Sequence, residues 1–251
     1  MLVKTFILLA SVALASAAPA KRQAGCAKPT LPVNGNGVEL PAPPADVVLK
    51  YIALGHGIQN YTCATSNATG QAVLAPSATG ALAGLYDARP LYPNSGSGSL
   101  PSVDAFNGLT SSAVWGSPLP LTPDGTTRFG ASATAPFPAP ADLVLANMPP
   151  LKQLGVHFFD DTGVPTFKLG EQDLFKGAKL NGTKAPASAD AGPEKTGTVD
   201  WLLLGDKGTS KGLTFAYRVV TAGGVGHPCT QVGTPDSVPY AAFYWFYGPK
   251  A

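Results

Sequence analysis

Residues 199–220 read VDWLLLGDKGTSKGLTFAYRVV. Two apolar runs, Val199 to Leu204 and Leu213 to Val220, flank the turn-like Gly205-Asp206-Lys207-Gly208, and they predict two strands. The same signature recurs along the chain. Val47 to Leu54 (VVLKYIAL) predicts a strand, Gly55-His56-Gly57 a turn, and Ile58 to Ala64 (IQNYTCA) the second arm of a hairpin. Alternation in that second arm puts Gln59, Tyr61 and Cys63 on one side and Ile58, Asn60 and Thr62 on the other. Leu151 to Phe159 and Val164 to Leu169 flank Asp160-Asp161-Thr162-Gly163, whose residue types favour a turn. Tyr240 to Tyr247 (YAAFYWFY) is a last, very aromatic strand. The chain shows no long amphipathic helix and no repeat of fixed period. Many short strands with Gly/Pro turns predict an all-β domain, a single sandwich or barrel with long Gly/Pro/Ser-rich loops.

The start, MLVKTFILLASVALASAAPAKR, has a positive Lys4, an apolar stretch from Phe6 to Ala15 and an A-x-A-type site at Ala15-Ser16-Ala17. That order predicts a secretory signal peptide, and the apolar run is shorter than the roughly 20 residues a membrane helix needs. Lys21-Arg22 is either a dibasic processing site or a pair of exposed basic residues. Residues 1–22 are therefore expected to be a leader, 23–45 a Pro-rich arm, and 46–251 a β-rich domain. Within that domain, about 76–141 reads as a loop-rich insertion that either covers the core or hides short helices and strands. Gly and Pro make up 54 of 251 residues, yet 45% of the chain is hydrophobic, which favours a folded, loop-rich domain over a disordered one.

The chain carries 17 Lys and Arg against 15 Asp and Glu. Residues 1–22 hold three of the basic residues and no acids, so residues 23–251 have 14 against 15, a net charge of −1. Without a basic run or interleaved aromatics, nucleic acid is not an expected partner. No later stretch approaches 18 unbroken apolar residues, so no membrane span is expected, and the C-terminus lacks the tail of a glycolipid anchor. Three cysteines, Cys26, Cys63 and Cys229, allow three single bridges in an oxidising compartment, and spacing does not choose among them. Asn60, Asn67 and Asn181 begin N-x-Ser/Thr sequons and are candidate glycosylation sites.

Familiar catalytic motifs are missing. The glycine pairs Gly35/Gly37, Gly55/Gly57 and Gly96/Gly98 have no third glycine and open no helix, so neither a dinucleotide fold nor any other cofactor is expected. Gly96-Ser97-Gly98 lacks the spacing of a nucleophile elbow. His56, His157 and His227 stand near strand ends or turns without zinc-ligand spacing, so no metal is expected. Those three histidines, with Asp160, Asp200 and Arg218, are the weak candidates for catalysis. Adjacent Asp160 and Asp161 read as a turn rather than as the paired carboxylates of a glycosidase. The aromatic stretch 240–247 reads as a core strand in preference to a face exposed for stacking on sugars.

Several segments recur together and in order: Ile52 to Cys63, Gly155-Val156-His157-Phe158-Phe159, Pro165-Thr166-Phe167, Val199 to Leu204, Tyr217 to Gly224, and Val238 to Ala242. Over residues 46–248 this set resembles a secreted family of filamentous fungi and bacteria. The family is catalogued as a domain of unknown function, and its fungal members are often labelled malate dehydrogenase automatically. The resemblance implies an extracellular β-rich domain, no established activity, and a bridge between Cys63 and Cys229 with Cys26 left over. It also implies an acidic residue where Phe243 stands, serving either a polar site or an ion pair with Arg218. The resulting expectation is a secreted, glycosylated, non-catalytic fungal protein that binds cell-wall polysaccharide or a host surface component. The alternative is a secreted carbohydrate-active or metal-dependent hydrolase. Malate dehydrogenase activity has no support in the residues.

Overall fold

The computed structural model describes residues 28–66 and 72–250; the leader, Cys26 and Asn67 lie outside the described residues. Eight antiparallel strands follow in chain order: β1 (Val47–Ser66), β2 (Val73–Asp87), β3 (Gln153–Phe159), β4 (Pro165–Leu169), β5 (Asp173–Thr183), β6 (Trp201–Asp206), β7 (Phe215–Gly223) and β8 (Pro235–Pro249). Each pairs with the next, and β8 pairs with β1, so the sheet closes into a barrel. Of the two all-β architectures open to the sequence, the barrel is the one formed. Closure leaves the sheet without an unpaired edge.

The aromatic strand β8 is buried on both faces. Tyr240, Ala242, Tyr244 and Phe246 point into the barrel, where they share a core with Phe167, Phe175, Leu204 and Ala216. Ala241, Phe243, Trp245 and Tyr247 point outward into a second core. No residue from 240 to 247 is more than 7% exposed, so this strand presents no aromatic face on the outer surface. Each large side chain so placed contributes roughly 1.5–3 kcal/mol through apolar burial.

The chain between β2 and β3 covers the outer core. It holds a 3-10 turn at Arg89–Leu91 and two short helices, α1 (Val103–Asn107) and α2 (Leu109–Gly116). The Ser102 hydroxyl accepts from the Ala105 N–H at 3.1 Å and caps α1, and Asp104 lies in its first turn, where a negative charge is favoured. Phe106 then lies flat on Phe243, ring centroids 4.5 Å apart, and Tyr92 meets Trp245 edge-on at 6.0 Å. The segment expected to be loop-rich over 76–141 therefore divides. Residues 76–87 belong to β2, and much of the remainder is a packing layer with two helices in it. Alanines and glycines, poor strand formers, disguised β2. Its inward positions Ala81 and Ala83 must be small to sit in a lumen already crowded by Phe167 and Tyr244.

The hairpin expected around Gly55-His56-Gly57 is instead one continuous strand, β1. A Cβ on Gly57 would lie 1.9 Å from the Leu82 carbonyl oxygen, and one on Gly55 would lie 2.6 Å from the Tyr244 ring. These glycines mark the close approach of neighbours, not a reversal of the chain. β5 (DLFKGAKLNGT) was not legible, because lysine and glycine dilute its apolar alternation. Cys63 and Cys229 are bridged, across 166 positions of sequence.

Three variants check this frame by their stability. Gly57→Ala is expected to cost about 2–3 kcal/mol in urea unfolding, because backbone must shift to admit the methyl. Gly116→Ala, whose methyl would meet nothing within 4 Å, should stay within about 0.5 kcal/mol of the parent chain. Cys63→Ser is expected to cost about 2–5 kcal/mol, by loss of a cross-link that closes a long loop.

Candidate functional site

The barrel is filled unevenly. Towards the end where β1 begins and β8 finishes, Leu85, Leu169, Phe175, Leu213 and Phe246 pack the lumen. Towards the other end a cavity of about 860 Å³ opens. Its buried floor includes His157, Phe167 and Tyr244, and its rim includes the exposed Lys179 and Lys184 and the chain between β5 and β6. A volume of roughly 300–1,000 Å³ is typical of small-molecule sites.

Arg218 on β7 lines this cavity beside Tyr244, its register partner on β8. Its Nε and Nη2 donate to the Asp200 carbonyl at 3.2 and 2.9 Å. Among the described residues no carboxylate oxygen lies within 4.0 Å of either Arg218 or Lys179. The Asp200 carboxylate instead takes Lys184 at 3.1 Å. The Arg218 charge acts on Tyr61, His157, Tyr240 and Tyr244. Burial raises the phenols of all three tyrosines, and Arg218 opposes that rise. Tyr240 and Tyr244 share a hydrogen bond of 3.0 Å between their hydroxyls. Gln59 donates to the Gly80 carbonyl at 2.6 Å.

His157 is held tightly. Its Nδ1 lies 2.9 Å from the Thr166 carbonyl, which can only accept, so Nδ1 carries the proton. The ring stacks on Phe167 with centroids 3.9 Å apart and planes 5° from parallel. Burial, seconded by the Arg218 charge and opposed by the Thr166 hydrogen bond, lowers its pKa to about 3. A neutral imidazole this reluctant to take a proton is a weak general base.

The remaining candidates stand apart. His56 is buried on the outer face of β1, its Nε2 3.3 Å from the Ser117 carbonyl. Asp160 organises the β3–β4 turn. Its Oδ1 accepts from the backbone of Thr162 and Val164, each at 3.0 Å, and its Oδ2 pairs with Lys176 at 2.8 Å. The Lys176 hydrogen bond, first among several, holds its carboxyl far below the usual range. His227 lies between Asp236 at 3.2 Å and Glu194 at 3.4 Å, and Glu194 also binds Arg128. This cluster clamps three surface segments together. Of the six candidates, the cavity gathers His157, Asp200 and Arg218, and among the described residues Asp200 is the one carboxylate on its wall. An acid at position 243 would face outward with Phe106, opposite to Arg218, so the ion pair implied for Arg218 does not fit the barrel.

Sequence reasoning missed Gln59, Tyr61 and Lys179 as cavity residues. The alternation that placed Gln59 and Tyr61 on one face was the available signal; nothing marked Lys179. Of the sequons, Asn181 is exposed, whereas Asn60 is half-buried and accepts from the Ser237 hydroxyl at 2.9 Å. No helix among the described residues is long and apolar enough to cross a membrane.

His157 yields a pH prediction. Its folded pKa of about 3 lies below the ordinary 6.5, so between those values the unfolded chain binds a proton that the folded chain refuses. Stability should therefore fall as pH drops through that window. His157→Phe keeps the stack on Phe167 and removes the titration. Between pH 7 and 5, urea unfolding should show the variant losing about 2 kcal/mol less than the parent chain.

Residues 43–248 match the model of a family described as a protein of unknown function (DUF3455). No curated protein and no solved structure matches the chain significantly. The family match takes in every strand from β1 through nearly all of β8. The chain thus belongs to the DUF3455 family, a domain family of unknown function.

Proposed function

We propose that this is a secreted, glycosylated, non-catalytic protein of a filamentous fungus, working at the cell wall or a host surface by holding a small molecule in its barrel. The observation that carries this reading is the cavity of about 860 Å³ over an aromatic floor, reached past a charged rim. The leader supports export, and the exposed Asn181 is a sequon that a glycan can reach. The locked His157 and the single wall carboxylate favour binding over acid–base chemistry. A lumen packed at one end suits a small molecule or the end of a chain better than the middle of an extended polymer. The malate dehydrogenase label of fungal relatives is set aside, since no dinucleotide-binding motif is present.

The neutral fluorophore N-phenyl-1-naphthylamine is a suitable probe. One equivalent per chain is expected to bind with enhanced emission. Ala78→Trp, at an exposed position on the cavity wall, should weaken the signal at least fivefold while leaving the far-ultraviolet circular dichroism unchanged. No enhancement in the parent chain, or enhancement that Ala78→Trp leaves unchanged, would remove the lumen as the binding site. Malate with NAD is expected to give no NAD-dependent absorbance change.

A further inference from the structure

The charges on the cavity wall do not balance. Its charged residues are Lys179, Lys184, Arg218 and Asp200. Lys184 and Asp200 offset one another in their ion pair. Lys179 and Arg218 are left with no carboxylate in reach among the described residues. This excess of two positive charges sits in a chain whose residues 23–251 carry a net −1. Positive charge is therefore concentrated in the cavity while the rest of the molecule is slightly acidic.

The neighbours of Arg218 cannot supply the missing anion. Tyr61, Tyr240 and Tyr244 all have phenols raised by burial and stay neutral. The Asp200 carbonyl takes two of the five guanidinium donors, which fixes the side chain but leaves its charge unneutralised. A planar guanidinium held this way is preorganised for an oxyanion that can accept from two N–H groups at once. Three aromatic rings, His157, Phe167 and Tyr244, line the cavity with it. The His157–Phe167 stack has centroids 3.9 Å apart, and Tyr244 lies 5.1 Å from Phe167. Such walls favour flat, polarisable ring systems.

We propose that the barrel binds a small aromatic acid, with its carboxylate or sulfonate on Arg218, its rings over the His157, Phe167 and Tyr244 floor, and Lys179 drawing it in from the rim. This rests on the lumen being a binding site, and the test separates the two claims. N-phenyl-1-naphthylamine and 1-anilinonaphthalene-8-sulfonate share one ring skeleton and differ by the sulfonate. The sulfonate is expected to bind the full-length chain at least tenfold more tightly, with an affinity that falls as salt rises. Arg218→Gln should erase that preference and leave the neutral probe within about twofold. Arg218→Lys, which keeps the charge but not the fork, should retain part of it. Because Arg218 also supports the Asp200 carbonyl, the exposed Lys179→Gln gives an independent reading: a two- to threefold weaker sulfonate affinity with unchanged unfolding. Cinnamate is expected to displace the sulfonate probe better than cinnamyl alcohol or octanoate.

If both probes bind equally, or Arg218→Gln and Lys179→Gln leave the preference intact, the acid is overturned and the lumen stands. If octanoate displaces better than cinnamate, the aromatic assignment is overturned. If neither probe binds, the lumen falls and the acid with it.

Discussion

The ladder between β1 and β8 runs from Val47 opposite Pro249 to Thr62 opposite Pro235 and joins the first strand to the last. Without it the eight strands would form an open meander with two long apolar edges, a template for aggregation. With it, side chains sort by period two into lumen and exterior, so a slip of one residue would exchange the two sets. Arg218 would then leave the cavity and Trp245 would enter it. The backbone of Cys63 extends the ladder by pairing with Gly233 and Thr234, and its disulfide to Cys229 pins the same end. The cavity mouth is thus anchored where closure is covalently secured.

Closure also imposes a demand on side-chain size. A lumen that holds Phe167, Phe175, Tyr240, Tyr244 and Phe246 admits them only if facing positions are small, as Ala81, Ala83, Ala216 and Ala242 are. Gly55 and Gly57 carry that demand to its limit, since even a methyl would strike a neighbour. The outer face faces the reverse problem. Phe243, Trp245 and Tyr247 would be exposed on a bare barrel, and the chain between β2 and β3 exists in the fold to cover them. One strand therefore belongs to two cores, which explains why it carries almost no polar residue.

The lumen keeps a guanidinium by satisfying part of it. The Asp200 carbonyl accepts two of its hydrogen bonds, and His157 stays neutral through burial and a fixed tautomer. Polar groups inside a barrel are tolerated when they are hydrogen-bonded or wet. The cavity provides the second condition at one end of the barrel, and the apolar packing removes it at the other.

Several parts of this arrangement were legible in the residues. Period-two alternation and turn chemistry identified β3, β4 and the pairing of β6 with β7, and the unbroken apolar run of β8 marked it as core. The alternation of Gln59 with Tyr61 hinted at a shared wall. β2 and β5 were hidden, because their alanines, glycines and lysines suit a crowded lumen and a rim and not a generic strand. Asp160 and His56 illustrate the same limit for chemistry. One-dimensional order made them candidates equal to His157, and the fold gave the first to a turn and the second to the outer core. By itself, then, the sequence determined an all-β chain and most of its apolar strands, because those depend on neighbours two residues apart. Only the tertiary structure decided on a barrel, on a cavity at one end and on Arg218 and Lys179 as its unpaired charges, because these depend on how separate strands are brought together, up to the pairing of β1 with β8.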